Sequence, residues 1–146
     1  MFETKNSIFI NRPLQEVFQV VSDPSKQSLW QSMVESAEWS SNGDTGVGST
    51  MKVTAKFLGR KIESDIEITA WEPPGRIDYK FVNGPYPAEV SNILETQGEG
   101  TQLTAQSQGE MGSFFKLGEG LVAKQLEKQL NANFETLKLL MESGQL

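Results

Sequence analysis

Three polar residues interrupt strand-like apolar series in this chain. Ser64 stands among Ile62, Ile66 and Ile68, Asn92 between Val90 and Leu94, and Ser107 after Leu103 and Ala105. Alternate side chains of a strand share one face, so each of the three falls on the face assigned inward. A buried hydroxyl or amide without a partner costs about 1–3 kcal/mol. Each must therefore bond to backbone, to trapped water or to a ligand. Backbone and water are the commoner partners for a serine. Asn92 is harder to satisfy that way, because Asn is disfavoured within strands and its amide both donates and accepts. Tyr79, between Ile77 and Phe81, joins the set, since a buried phenol also needs a partner. The chemistry open to Ser64, Tyr79, Asn92 and Ser107 is orientation by hydrogen bonding.

Other chemistry is largely removed by composition. The chain has no His and no Cys. The usual general base, the thiolate nucleophile, the disulfide and zinc–thiolate sites go with them. Glu63, Asp65 and Glu67 lie on the outward phase of their strand, and Glu89 and Glu95 on the polar phase of theirs. Neither a carboxylate pair for acid–base work nor an oxygen-ligand metal site is expected, and no cofactor is implied. Arg12, Arg60 and Arg76 all sit at turns, so no arginine is expected in an interior pocket. The formal charge of −6, with scattered Lys and Arg, argues against nucleic acid.

The elements that must position these residues are legible from periodicity. Ser7 to Ile10 ends a first strand. Pro13 then opens a helix carrying Leu14, Val17, Phe18 and Val21, and Ser22-Asp23-Pro24 separates it from a second short helix reaching Trp30. Strands follow from Met33 to Ser40, from Met51 to Phe57, and through Ile62 to Ile68 after a turn at Gly59-Arg60. Lys52 and Lys56 are expected to pair with the outward acids of the neighbouring strand. Trp71 to Arg76 reads as a turn, and so does Val82 to Pro85. Strands carry Ile77 to Phe81, Ala88 to Thr96 and, past the Gly98-Glu99-Gly100 turn, Gln102 to Met111. Short sequential strands joined by turns make an antiparallel sheet. One long helix is expected from Ser113 to Glu142, with Leu126, Leu130, Phe134, Leu137 and Met141 on one stripe. Its phase slips across Gly118 and Gly120, which predicts a bend or a separate first turn, with Phe114 and Phe115 either a moving flap or part of a static kink.

The order strand, two short helices, six strands, long helix resembles the helix-grip fold of the START and pollen-allergen type. Arg12-Pro13 before Val17-Phe18, Ser22-Asp23-Pro24 with Trp30, and Gly46-Val47-Gly48-Ser49 resemble the polyketide cyclase/dehydrase branch of that superfamily. Phe57-Leu58-Gly59-Arg60, Trp71-Glu72-Pro73-Pro74-Gly75-Arg76 and Gly100-Thr101 do so too. The resemblance implies an α+β fold, with a seven-stranded antiparallel sheet curved around the C-terminal helix and an apolar pocket between them. It covers nearly the whole chain, read as one domain over residues 1–146.

The expected ligand is a hydrophobic small molecule such as a lipid or polyketide, held by a carrier or sensor. The alternatives are a cyclase or dehydratase that works by positioning its substrate through Asn92, Tyr79, Ser64 and Ser107, and an interaction module with a vestigial cavity. Besides those four, the expected ligand-binding residues are Trp30, Met51, Phe57 and Phe81 with Met111, Phe114, Phe115, Leu126 and Leu130. Such residue types line cavities and fill cores alike. Tyr86, between two prolines, is expected at a rim. No apolar run approaches the length of a membrane span, so integral membrane association is not expected. A cytoplasmic location is the default. A homo-oligomer is compatible with the sequence and not indicated by it.

Overall fold

The computed structural model describes residues 1–110 and 112–146. Strand β1 (Phe2–Ile10) turns Phe2, Thr4, Asn6, Ile8 and Ile10 inward, so it begins well before the apolar pair that marks its end. Helix α1 (Leu14–Val21) buries Val17, Phe18, Val20 and Val21, with Pro13 at its N-cap. The Asp23 carboxylate accepts from the Ser25 amide at 3.0 Å and starts a 3-10 turn, Pro24–Lys26. Helix α2 (Gln27–Trp30) follows directly.

Six strands then form a meander: β2 (Val34–Trp39), β3 (Thr50–Phe57), β4 (Arg60–Glu72), β5 (Arg76–Asn83), β6 (Ala88–Gln97) and β7 (Gly100–Gly109). The sheet order is β1-β7-β6-β5-β4-β3-β2, all pairs antiparallel. Because β1 and β2 lie at opposite edges, the segment with α1 and α2 must carry the chain across the open mouth of the sheet. Gly100 and Gly109 are required where β7 meets its neighbours. A Cβ on Gly100 would lie 2.6 Å from the Ile10 carbonyl, and one on Gly109 would lie 2.5 Å from that of Pro87.

The C-terminal segment is two helices, α3 (Gly112–Phe115) and α4 (Glu119–Glu142), rather than one from Ser113. Lys116 adopts φ 58°, which no helix accommodates, and Gly118 becomes the N-cap of α4. Gly120 lies inside α4, and the exposed Leu117 and Leu121 fall off its buried stripe. The expected pairing of Lys52 and Lys56 with the outward acids is also corrected in part. Register sets Lys52 opposite Asp65, as expected, but Lys56 opposite Lys61, and the ion pairs formed by the outward acids Glu63 and Glu67 are Lys61–Glu63 and Lys80–Glu67.

The close backbone approaches of α4 are to β1, α2 and α3, and it stands off from the middle of the sheet. The core is accordingly split. One cluster joins Ile8, Ile10, Val17, Phe18, Ile68, Leu103, Phe134, Leu137 and Met141, and a second joins Phe2, Phe57, Ile62, Phe115, Val122 and Leu126.

Candidate ligand cavity

A cavity of about 180 Å³ draws its walls from both clusters. Its floor is the inward face of β3 to β7, its roof is Leu126, Leu130, Asn133 and Phe134 of α4, and α2 closes one side with Trp30. Antiparallel alternation places Met51, Ser64, Tyr79, Phe81, Asn92 and Ser107 on that floor, with Phe57 at its end. No Lys, Arg, Asp or Glu among the described residues lines the cavity. A wider depression of about 800 Å³ on the outer face of the sheet has mostly polar and charged walls, Lys5, Asp78, Lys80 and Glu89 among them, with Tyr79 and Val90 as its apolar lining.

The polar side chains differ in how they are satisfied. Asn92, 6% exposed, donates to the Ile77 carbonyl at 3.4 Å, and its amide lies beside the Tyr79 hydroxyl. Burial pushes the Tyr79 pKa up, and the hydrogen bond from Asn92 opposes part of that rise. Ser107 shares a hydrogen bond with Thr4 across β1 and β7, which settles that serine within the protein. Ser64 is buried and its hydroxyl has no partner.

Phe114 and Phe115, expected on the wall, lie one layer behind it. The separate α3 packs Phe115 edge-on against Phe57 at 5.3 Å and sets Phe114 under the Arg60 guanidinium at 4.3 Å. Arg60 also donates to the Phe114 carbonyl at 2.9 Å, tying the β3–β4 hairpin to α3. Tyr86, half-buried between the exposed Pro85 and Pro87, lines one end of the cavity. It stacks near Phe81 and Phe114, and burial pushes its pKa up to about 12. Met111 lies outside the described residues.

Sequence reasoning missed Asn133 and Asn6. Asn133 is 2% exposed, and its carbonyl oxygen accepts from the Ser32 amide at 3.2 Å and from Gln129 at 3.1 Å. Asn6 donates to Asn131 at 2.5 Å and to the Glu127 carbonyl at 3.2 Å, pinning β1 to α4. Both were findable: Asn133 is three residues from Leu130 and four from Leu137, and Asn6 shares the phase of Ile8 and Ile10.

The profile of a family described as "polyketide cyclase / dehydrase and lipid transport" matches residues 1–142. The chain belongs to that family. Its helix-grip architecture recurs in solved structures. A START superfamily protein from Mycobacterium smegmatis superposes with TM-score 0.83 at 12% identity, covering 98% of this chain and 99% of that one. A Thermus thermophilus protein gives 0.81 at 19%, covering 97% and 98%. A putative protein of the dynemicin biosynthetic locus gives 0.71 at 22%, covering 99% of this chain and 48% of that one. At these identities the likeness is one of fold. No curated protein sequence matches this one. No helix among the described residues is long and apolar enough to cross a membrane.

Proposed function

We propose that this member of the family binds a small hydrophobic molecule between the sheet and α4, as a carrier or sensor. The observation that carries the reading is the split core. An unfilled cavity costs about 24 cal/mol per Å³, so 180 Å³ amounts to roughly 4 kcal/mol. Against a usual net stability of about 5–15 kcal/mol, a void of that cost is retained for an occupant. Its size also bears on which occupant. Pockets for drug-sized ligands run to about 300–1,000 Å³, whereas a cavity of about 150 Å³ takes benzene. A compact ring fits the space, and a sterol needs the walls to part.

The test is a thermal-shift panel of small aromatics, fatty acids and sterols, with native mass spectrometry of freshly purified protein. A ligand selective for the native state raises the melting temperature. Small aromatics are expected to do so at lower concentration than sterols. No shift with any compound, and no co-purified mass, would remove the binding reading in favour of an interaction surface. A cyclase or dehydratase is the second reading. With no charged side chain on the wall, proton transfer there would fall to the Tyr79 hydroxyl beside Asn92.

A further inference from the structure

Two residues other than glycine hold a left-handed backbone among those described, Leu58 at φ 50° and Lys116 at φ 58°. They stand at the same end of the molecule. Leu58 turns the β3–β4 hairpin, and Lys116 follows α3, which Arg60 of that hairpin ties down through the carbonyl and the ring of Phe114. Phe57 packs against Phe115 beneath them. Backbone strain of this kind concentrates at functional positions.

The two turns display leucine and lysine. Leu58 is 40% exposed, Leu117 beside Lys116 is 39% exposed, and Leu121 in the first turn of α4 is 48% exposed. Strand pairing of β4 with β5 begins only at Asp65, and that of β3 with β2 ends at Ala55. The hairpin from Lys56 to Ser64 therefore projects past both neighbouring strands. Its tip carries Lys56, Arg60 and Lys61, and no Asp or Glu falls between Thr50 and Ile62. Register sets Lys56 directly opposite Lys61, a like-charge pair that weakens a sheet. The flanking acids are Glu63, which meets Lys61 at 3.7 Å with both side chains largely exposed, and Glu119 beyond Leu117. In a chain of net charge −6, this end gathers cations around leucines at a cost to its own fold.

Neither the lysine pair nor the strained leucine serves the sheet. A negative surface relieves the lysines, and an apolar layer beneath it takes the leucines. An anionic bilayer offers both, since interfacial binding adds buried apolar area to the attraction between Lys or Arg and acidic headgroups. Nucleic acid would use the cations and leave the leucines in water. An acidic protein would need a groove shaped to a projecting turn, whereas a bilayer yields to one.

We infer that the β3–β4 tip and the α3–α4 joint form a docking surface for anionic membranes, with Leu58 and Leu117 entering the interface and Lys56, Lys61 and Lys116 meeting the headgroups. None of these residues lines the cavity, so the inference goes beyond the binding reading and does not depend on it.

Co-sedimentation with vesicles tests it, comparing phosphatidylcholine alone with phosphatidylcholine containing about 30% phosphatidylglycerol. The net charge alone predicts repulsion by the anionic vesicles. The patch predicts binding to them about tenfold tighter than to the neutral ones, weakening with added salt. Lys56→Gln together with Lys61→Gln should weaken that binding about thirtyfold. Leu58→Asn should weaken it about tenfold. Its turn favours Asn, so the loss is not one of folding, and an undiminished melting temperature checks this. Lys5→Gln, which removes an exposed cation on the outer face of β1, should change nothing. Equal binding to both kinds of vesicle, or a loss with Lys5→Gln as large as with the hairpin variants, would overturn the inference. No binding to anionic vesicles would also overturn it, and would leave an acidic protein as the occupant. None of these outcomes bears on the cavity, whose ligands are read by thermal shift without vesicles.

Discussion

A phenol at the end of the cavity carries a pH signature that its removal isolates. Tyr86 packs near Phe81, Phe114 and Phe115, and desolvation raises its pKa from 10.0 to about 12. Below the unfolded value both states hold the proton, and the native contribution is fully present. Between about pH 10 and 12 the unfolded chain releases its proton while the native chain keeps it, so stability falls as pH rises through that window. Tyr86→Phe should flatten this part of the profile, read as denaturant midpoints of the two proteins from about pH 9 upward. A parallel fall in both would show that Tyr86 meets solvent. Among other single residues, Asn92 and Tyr79 announced themselves because each breaks or completes a clean alternation. Asn133 did not, since one Asn on an amphipathic helix looks like any solvated side chain until Ser32 and Gln129 are seen converging on its oxygen.

Elements with one wet face were legible, and those with polar interior positions were not. The strands β3, β4 and β5 show alternation because their inward sites are mostly apolar. The first half of β1 hides it, since Thr4 and Asn6 occupy inward sites and bond to β7 and α4. The β3–β4 hairpin turns one residue before the Gly59-Arg60 pair that the sequence suggests. Its two-residue turn is Leu58-Gly59, with φ of 50° and 78°, a pair of left-handed positions that favours Asn-Gly. A leucine pays about 1 kcal/mol there relative to residues that tolerate the region, and Leu58 is 40% exposed, so little packing offsets the strain. Leu58→Asn is expected to raise stability by up to about 1 kcal/mol, measured by urea unfolding. A loss would mean that the leucine side chain secures the hairpin to α3 more strongly than the turn resists it. The break between α3 and α4 follows the same logic. The glycine-rich joint was visible in sequence, but the lodging of Phe114 under Arg60 joins residues that are distant along the chain.

At the scale of the molecule, α4 makes its close approach to the sheet along β1, and the cavity lies between it and the central strands. The apolar side chains available there are too small to close the gap. Val53, Ala55, Val90 and Ala105 face it from four positions on the floor. Larger residues would have produced one continuous core, and with it a more stable protein. Ala105 sits opposite Asn92 in the β6–β7 register, so enlarging it fills space next to the polar pair without disturbing the strand hydrogen bonds. Ala105→Leu should therefore raise the melting temperature by a few degrees, as about 1 kcal/mol does for a chain of this size. The same change should weaken binding of any aromatic guest at least tenfold, because the added methyl groups occupy its volume. The two readouts must move in opposite directions if the void is kept for a ligand. A lowered melting temperature would show the floor already tightly packed, and a raised one with unchanged ligand affinity would place the guest elsewhere on the protein.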